Sequence, residues 1–205
     1  MARVDAAAVA GRVGTEADRA VARQVAERSI TLVRDARNLV PLRPGARVLH
    51  VTYTETGRGP AGAGFNAALA AGGVRVDHAR VGPSTSAATF ASLRERAAAA
   101  DIVVTSVAVA PVQYRALGIG GGFGPFVEAL AASGRPVVAV SLGSPYLLDS
   151  FPSVPAFLLA WSSASESEDA AARALLGLAP IGGRLPVSLP PYHRMGEGIH
   201  RDAQP

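Results

Sequence analysis

Three stretches decide the fold: Asp101-Ile-Val-Val-Thr-Ser-Val-Ala-Val-Ala110, Phe123-Gly-Pro-Phe-Val-Glu-Ala-Leu-Ala-Ala-Ser133 and Pro136-Val-Val-Ala-Val-Ser-Leu142. The first and third are almost unbroken runs of Val, Ile, Ala and Leu, the pattern of strands buried on both faces. The middle one reads as a helix, closed by Gly134. Strand, helix, strand in that order is a crossover unit joining two parallel strands. Working outward, the alternation continues. Upstream lie a strand at Arg47–Thr54, a short helix at Ala63–Ala71, a strand at Val74–Val81 and a helix at Ser84–Ala100. Downstream lie a strand at Ala156–Trp161, a helix at Ser165–Leu176 and a last strand at Arg184–Leu189. The expected fold class is α/β, a three-layer α/β/α sandwich with a mainly parallel sheet of about six strands.

The N-terminal segment reads differently. Thr15 is placed to cap a helix running to Arg28, with Asp18 three residues on in a variant of the capping box. Ala17, Val21 and Val25 form a thin apolar stripe at four-residue spacing, while Arg19, Arg23 and Glu27 face elsewhere. Ser29–Arg34 either ends this helix or forms a strand. The expected organisation is a linker or docking segment over 1–34, the sandwich over 35–192 and a tail over 193–205. Residues 1–14 and 193–205 read as loosely held ends.

Of the 205 residues, 49% are hydrophobic and 18% charged, which excludes a disordered chain. There is no Cys, so disulfides, thiolate metal sites and cysteine nucleophiles are excluded. No apolar run approaches the roughly 20 residues that span a bilayer. The start, Met1-Ala-Arg-Val-Asp-Ala, lacks the apolar region and cleavage site of a signal peptide. The expectation is a cytoplasmic protein with no membrane partner. All twenty basic residues are Arg, and the net charge is +4. Residues 1–47 hold nine Arg against five acids, and the remainder holds eleven of each. The excess is therefore local: a solvated helix face, or a surface that docks on an acidic partner. No interleaving of basic and aromatic residues points to nucleic acid.

In an open α/β sheet, ligands bind beyond the carboxyl ends of the strands. The loops there are 55–62, 82–84, 111–122, 143–146 and 162–167. They present Glu55, Arg58, Tyr114, Arg115 and Tyr146 as residues for contact with a partner or a sugar. Tyr146 follows Pro145 and is expected to pack. The glycine-dense Gly118-Ile-Gly-Gly-Gly-Phe-Gly-Pro125 opens a helix but lacks the Gly-Lys-Ser/Thr of a phosphate loop. It reads as a mobile loop packed against a neighbour. Gly57, Gly59, Gly62 and Gly64 also miss the dinucleotide spacing and read as a flexible turn. There is no Gly-x-Ser-x-Gly elbow for a serine hydrolase. His50, His78, His193 and His200 are not spaced as metal ligands. Glu166, Glu168 and Asp169 cluster at a helix start, where acids meet the positive end of the helix dipole. Glu55 and Glu197 are single loop acids. No convincing carboxyl pair for glycoside cleavage is present, and no catalytic residue, metal ligand or cofactor is assigned.

Several segments together resemble a known family. Val13-Gly-Thr-Glu-Ala-Asp-Arg19, Ala26-Glu-Arg-Ser-Ile-Thr-Leu-Val-Arg-Asp35 and Asn38-Leu-Val-Pro-Leu42 resemble the entry to the C-terminal domain of glycoside hydrolase family 3. Val138-Ala-Val-Ser-Leu-Gly-Ser-Pro-Tyr-Leu-Leu148, Trp161-Ser-Ser-Ala-Ser-Glu-Ser-Glu-Asp-Ala-Ala171, Gly183-Arg-Leu-Pro-Val-Ser-Leu-Pro190 and Met195-Gly-Glu-Gly-Ile199 resemble its later motifs. The resemblance implies an α/β sandwich in a β-glycosidase, closest to the β-N-acetylhexosaminidase branch. It implies a (β/α)8 barrel domain or subunit as partner, which carries the nucleophilic Asp, and a carbohydrate as the ligand. In the β-glucosidase branch a Glu from this domain serves as acid/base, yet residues 112–122 contain no acid. In the hexosaminidase branch that group comes from the barrel. The chain alone is therefore expected to be inactive, buttressing a barrel and shaping one wall of its cleft. The rival reading is a non-catalytic sugar- or anion-binding module; an unrecognised hydrolase is the third.

Overall fold

The β-branched run from Ile102 to Ala108 forms a strand buried on both faces, which is why it shows no polar alternation. It lies inside a six-stranded sheet. The computed structural model describes residue 9 and residues 11–57, 59–109 and 118–204. In chain order its elements are α1 (Glu16–Ser29), β1 (Thr31–Asp35), β2 (Arg47–Thr54), α2 (Ala63–Ala71), β3 (Arg75–Val81), α3 (Ala87–Ala99), β4 (Ile102–Ala108), α4 (Phe123–Ala132), β5 (Val137–Ser141), a 3-10 turn (Pro145–Ser150), β6 (Ala156–Leu159) and α5 (Ser165–Leu175). The strand order is β1-β6-β5-β4-β2-β3. Strands β2 to β6 are parallel, and β1 joins β6 antiparallel at one edge.

Two apolar layers cover the sheet. On one face Phe90 and Leu93 of α3 and Phe123, Phe126 and Leu130 of α4 pack on Leu49, Val51 and Tyr53. On the other, Phe65 and Leu69 of α2, Ala171 and Leu175 of α5 and Ala26 of α1 pack on Val48, Val104, Val138 and Val140. This is the expected α/β/α sandwich, because alternate residues of each strand feed opposite layers.

The sixth strand is not the one expected. Arg184–Leu189 is no strand; β1 takes its place, so Ser29–Arg34 resolves as helix end followed by strand. Pro186 removes a ladder donor from the C-terminal segment. Leu185 instead receives its partners from the tail: its N–H donates to Glu197 O at 2.8 Å, and Gly196 N–H donates to Leu185 O at 2.8 Å.

Nor is the C-terminus loosely held through residue 204. Ile199 N–H donates to Leu32 O at 2.7 Å, Ile181 and Arg201 exchange bonds of 2.8 and 3.0 Å, and Gln204 N–H donates to Gly177 O at 2.8 Å. Arg201 also pairs at 3.0 Å with Asp35, whose side chain is fully buried. That carboxylate accepts the N–H of Leu39 at 2.7 Å as well. The tail therefore covers the β1 edge, and composition concealed this because its bonds are backbone bonds.

Candidate functional site

A cleft of ≈ 710 Å³ opens at the carboxyl ends of four adjacent strands. Thr54 ends β2 with Glu55 and Thr56 after it, Ala108 ends β4 with Val109 after it, Leu142–Tyr146 follow β5, and Trp161–Ser163 follow β6. Its size and place are those of a small-molecule site in an open α/β sheet.

Each wall has a local cause. Gly143 lets the β5 loop approach β4 closely: a Cβ there would lie 2.9 Å from Val109 O. Ser144 caps the 3-10 turn by accepting the Tyr146 N–H at 3.3 Å. Ser141 Oγ donates to Ser144 O at 2.6 Å and fixes the corner. Tyr146 does not pack as expected. It is 50% exposed on the cleft wall, because the turn buries Leu147 and Leu148 instead. Trp161 has φ of 63°, a left-handed conformation that a bulky residue seldom adopts. Its indole N–H donates to Ser29 O at 2.8 Å and lies 3.2 Å from Thr31 Oγ1. The end of α1 thus anchors this wall.

Of the five contact residues expected from the sequence, Glu55 and Tyr146 line the cleft. Arg58, Tyr114 and Arg115 lie outside the described residues. Glu55 is the single carboxylate among the described lining residues.

The other acids are engaged elsewhere. Glu168 is 3% exposed, and its carboxylate leaves its own helix: Oε1 accepts Gly62 N–H at 2.6 Å and Oε2 accepts Phe65 N–H at 3.1 Å. It therefore caps α2, correcting the reading of Glu168 as an acid for the dipole of its own helix. Gly64 leaves the room, since a Cβ there would sit 2.9 Å from Oε2. An anion already holds the α2 N-terminus, so the preceding glycines form no phosphate cradle. Glu166 does fit the dipole reading. Backbone bonding at the helix start, then Ser165, holds its pKa below the usual carboxylate value. Glu197 bonds His193 Nδ1 at 2.9 Å, which lowers its pKa.

The glycine-dense loop is likewise accounted for. Gly120 N–H donates to Tyr53 Oη at 2.8 Å. Gly121 has φ of +72°, and a Cβ there would collide with Pro83 O. The described part of this loop is packed against its neighbours.

One constellation escaped the sequence reading. His50 Nε2 lies 2.8 Å from Ser106 Oγ, and His50 Nδ1 lies 3.1 Å from Asn66 Oδ1. Nucleophile, base and orienting amide stand in the order of a hydrolytic triad. Ser106 and His50 are fully buried, however, and no substrate reaches them. Thr52 Oγ1 lies 3.1 Å from Ser106 Oγ and 3.0 Å from His78 Nε2, extending the network along the sheet. Burial pushes the His50 pKa down to about 3, so the ring is neutral. Burial also lowers that of His78. The legible signal was two polar residues, His50 and Thr52, on one face of a buried strand, with Ser106 in register beside Thr52. This is a satisfied polar core.

Among the described residues no group of three His, Cys, Asp or Glu stands ready to hold a metal. No helix there is long and apolar enough to cross a membrane. A sequence model of the Glycosyl hydrolase family 3 C-terminal domain matches residues 30–201. No curated protein matches the chain. Solved structures do. A glycoside hydrolase family 3 β-N-acetylglucosaminidase from Paenibacillus sp. str. FPU-7 is 18% identical, with a TM-score of 0.66 over 82% of this chain and 32% of the other. A β-glucosidase from Erythrobacter marinus is 20% identical, with a TM-score of 0.72 over 94% and 36%. A β-glucosidase from Listeria innocua in complex with isofagomine is 18% identical, with a TM-score of 0.68 over 87% and 28%. At these identities the likeness is one of fold. The chain spans about a third of the length of these structures.

Proposed function

The chain belongs to glycoside hydrolase family 3 through its C-terminal domain, and on that premise we propose that it completes the cleft of a β-glycosidase whose catalytic groups lie on a separate (β/α)8 barrel domain or subunit. The observation that carries this is that Glu55 is the single carboxylate among the described residues of the cleft. Glycoside cleavage by this route needs two carboxyl groups about 5–10 Å apart. Glu55 lines the cleft without a second acid among its described lining residues, and residues 111–122 contain none in sequence. The chain is then inactive alone. The reaction is of the β-N-acetylhexosaminidase type, because that branch draws neither carboxyl group from this domain. Trp161 and Tyr146 offer aromatic surface, and Thr54, Thr56, Ser144 and Ser162 carry hydroxyls suited to a sugar ring.

The test is an assay of the purified chain on p-nitrophenyl β-N-acetylglucosaminide and β-glucoside, alone and with the product of the neighbouring gene. The expected result is silence alone and turnover of the N-acetylglucosaminide with a barrel partner. Turnover by the chain alone, abolished in Glu55→Gln, would overturn the proposal.

The rival reading, a sugar-binding module that needs no barrel, draws on the same aromatic walls. Calorimetry with N-acetylglucosamine separates the two, since only the module binds the free sugar without a partner. The anion-binding version is disfavoured by Glu55 on the cleft and by Glu168 at the α2 N-terminus.

A further inference from the structure

Helix α1 has two faces. One packs on α5, where Ala26 is buried and Glu27 lies 3.7 Å from Arg173. The other is turned to solvent. Val21 is 61% and Val25 63% exposed, and Val13, just ahead of the helix, is 69% exposed. Asp18 and Arg28 are exposed on the same side; Asp18 Oδ2 accepts the Thr15 N–H and hydroxyl, and Oδ1 is the oxygen left for a partner. The apolar stripe visible in the sequence is therefore left outside the core, and the helix docks through its small residues.

Positions 18, 21, 25 and 28 advance by three, four and three residues, the spacing of a coiled-coil seam. The seam reads Asp, Val, Val, Arg: two apolar residues between opposite charges. Turned end for end, it keeps its spacing and reverses its charges. It is thus complementary to itself, as a two-fold interface requires. Antiparallel pairing sets Val21 against Val25 of a second copy and Asp18 against Arg28, twice over. Parallel pairing would set Asp18 on Asp18 and Arg28 on Arg28.

We propose that this face docks on a second copy of the chain, α1 against α1, antiparallel about a two-fold axis. None of the four residues lines the cleft. One helix pair buries less than the roughly 1,200 Å² of a stable interface, so the dimer is weak and concentration-dependent.

Sedimentation velocity of the full chain, over about a hundredfold range of concentration reaching about 1 mM, reads this association. The mass is expected to rise from the 20.9 kDa of one chain towards twice that value. Arg28→Glu keeps the Thr15 cap and sets two carboxylates face to face. It should weaken association by about tenfold or more. Val21→Glu should do the same through the apolar centre. The double swap Asp18→Arg with Arg28→Glu restores the charge pairing but removes the carboxylate that closes the Thr15 capping box; where circular dichroism shows the helix kept, it should restore the dimer. Added salt should weaken the wild-type dimer and relieve the repulsion in Arg28→Glu. A chain that keeps the mass of one copy at the highest concentration overturns the proposal. So does a dimer indifferent to both single variants, or a folded double swap that stays monomeric.

Discussion

At the scale of single residues, two buried polar groups decide most. His50 is neutral in the fold, with its pKa near 3, against about 6.5 when unfolded. Between those values the unfolded chain binds the extra proton, so stability falls as pH falls from about 6.5 towards 3 and is flat above. The loss amounts to about 5 kcal/mol at most by pH 3. Carboxylates add their share at lower pH; Asp101, bonded to Arg47, titrates near 2. The window from about pH 6.5 to 5 therefore isolates histidine. Urea unfolding across that window should show a shallower slope for His50→Gln than for the native chain, and equal slopes would refute a buried neutral ring. Glu168 makes the second case. Glu168→Gln turns one acceptor into a donor facing a backbone N–H and should cost about 2 kcal/mol. Glu166→Gln, half-buried at the start of the same helix and bonded only to its own turn, should stay within about 0.5 kcal/mol. Denaturant titration of the two variants measures the difference. In sequence these acids sit two residues apart in one cluster, and only the fold shows that one of them crosses to α2.

At the scale of elements, periodicity was informative where a whole layer imposes it. Strands β2, β4, β5 and β6 follow from apolar runs, because both faces of β4 and β5 are covered, while β3, at the sheet edge, follows from alternating polarity. It failed where neighbours decide. Ser29–Arg34 and Arg184–Leu189 have similar composition, and one becomes an edge strand while the other does not. Pro186 stands inside the second segment and was the local sign against a strand; the tail's hydrogen bonds, which complete the difference, do not show in a local window. The site was legible in the same partial way. The rule of carboxyl ends placed the cleft and brought in Glu55 and Tyr146. Trp161 was missed as a wall because its left-handed backbone and its indole bonds to Ser29 and Thr31, more than 100 residues away, do not show in a local window. The glycine loop gives a test at this scale. Gly121→Ala meets both a positive φ and Pro83 O, so it should cost about 2 kcal/mol or more. Gly118→Ala has nothing within 4 Å and should be near neutral. Thermal melts of the pair check the contrast; equal melts would mean that the loop is not packed as described.

At the scale of the molecule, the two ends of the chain close the sheet together. β1 is the antiparallel edge, and the tail bonds to it through Ile199 while Arg201 reaches the buried carboxylate of Asp35. Removing residues 199–205 deletes those bonds at once and leaves Asp35 without its cation. Stranding one member of a buried pair costs about 3–5 kcal/mol, partly offset here because Arg201 remains 28% exposed. A loss of about 3 kcal/mol lowers Tm by roughly 6–12 °C in a chain of this size. The shorter truncation, removing only residue 205, should leave Tm within about 1 °C. If the longer truncation also left Tm unchanged, the tail would be the loose end that its composition suggests. Asp35→Asn in the full chain separates charge from covering. It keeps the backbone bonds of the tail, so it should recover part of the truncation's loss. A variant as unstable as the truncation would place the effect on the buried carboxylate and its bonds to Arg201, Leu39 and Val40 rather than on the covering backbone of the tail.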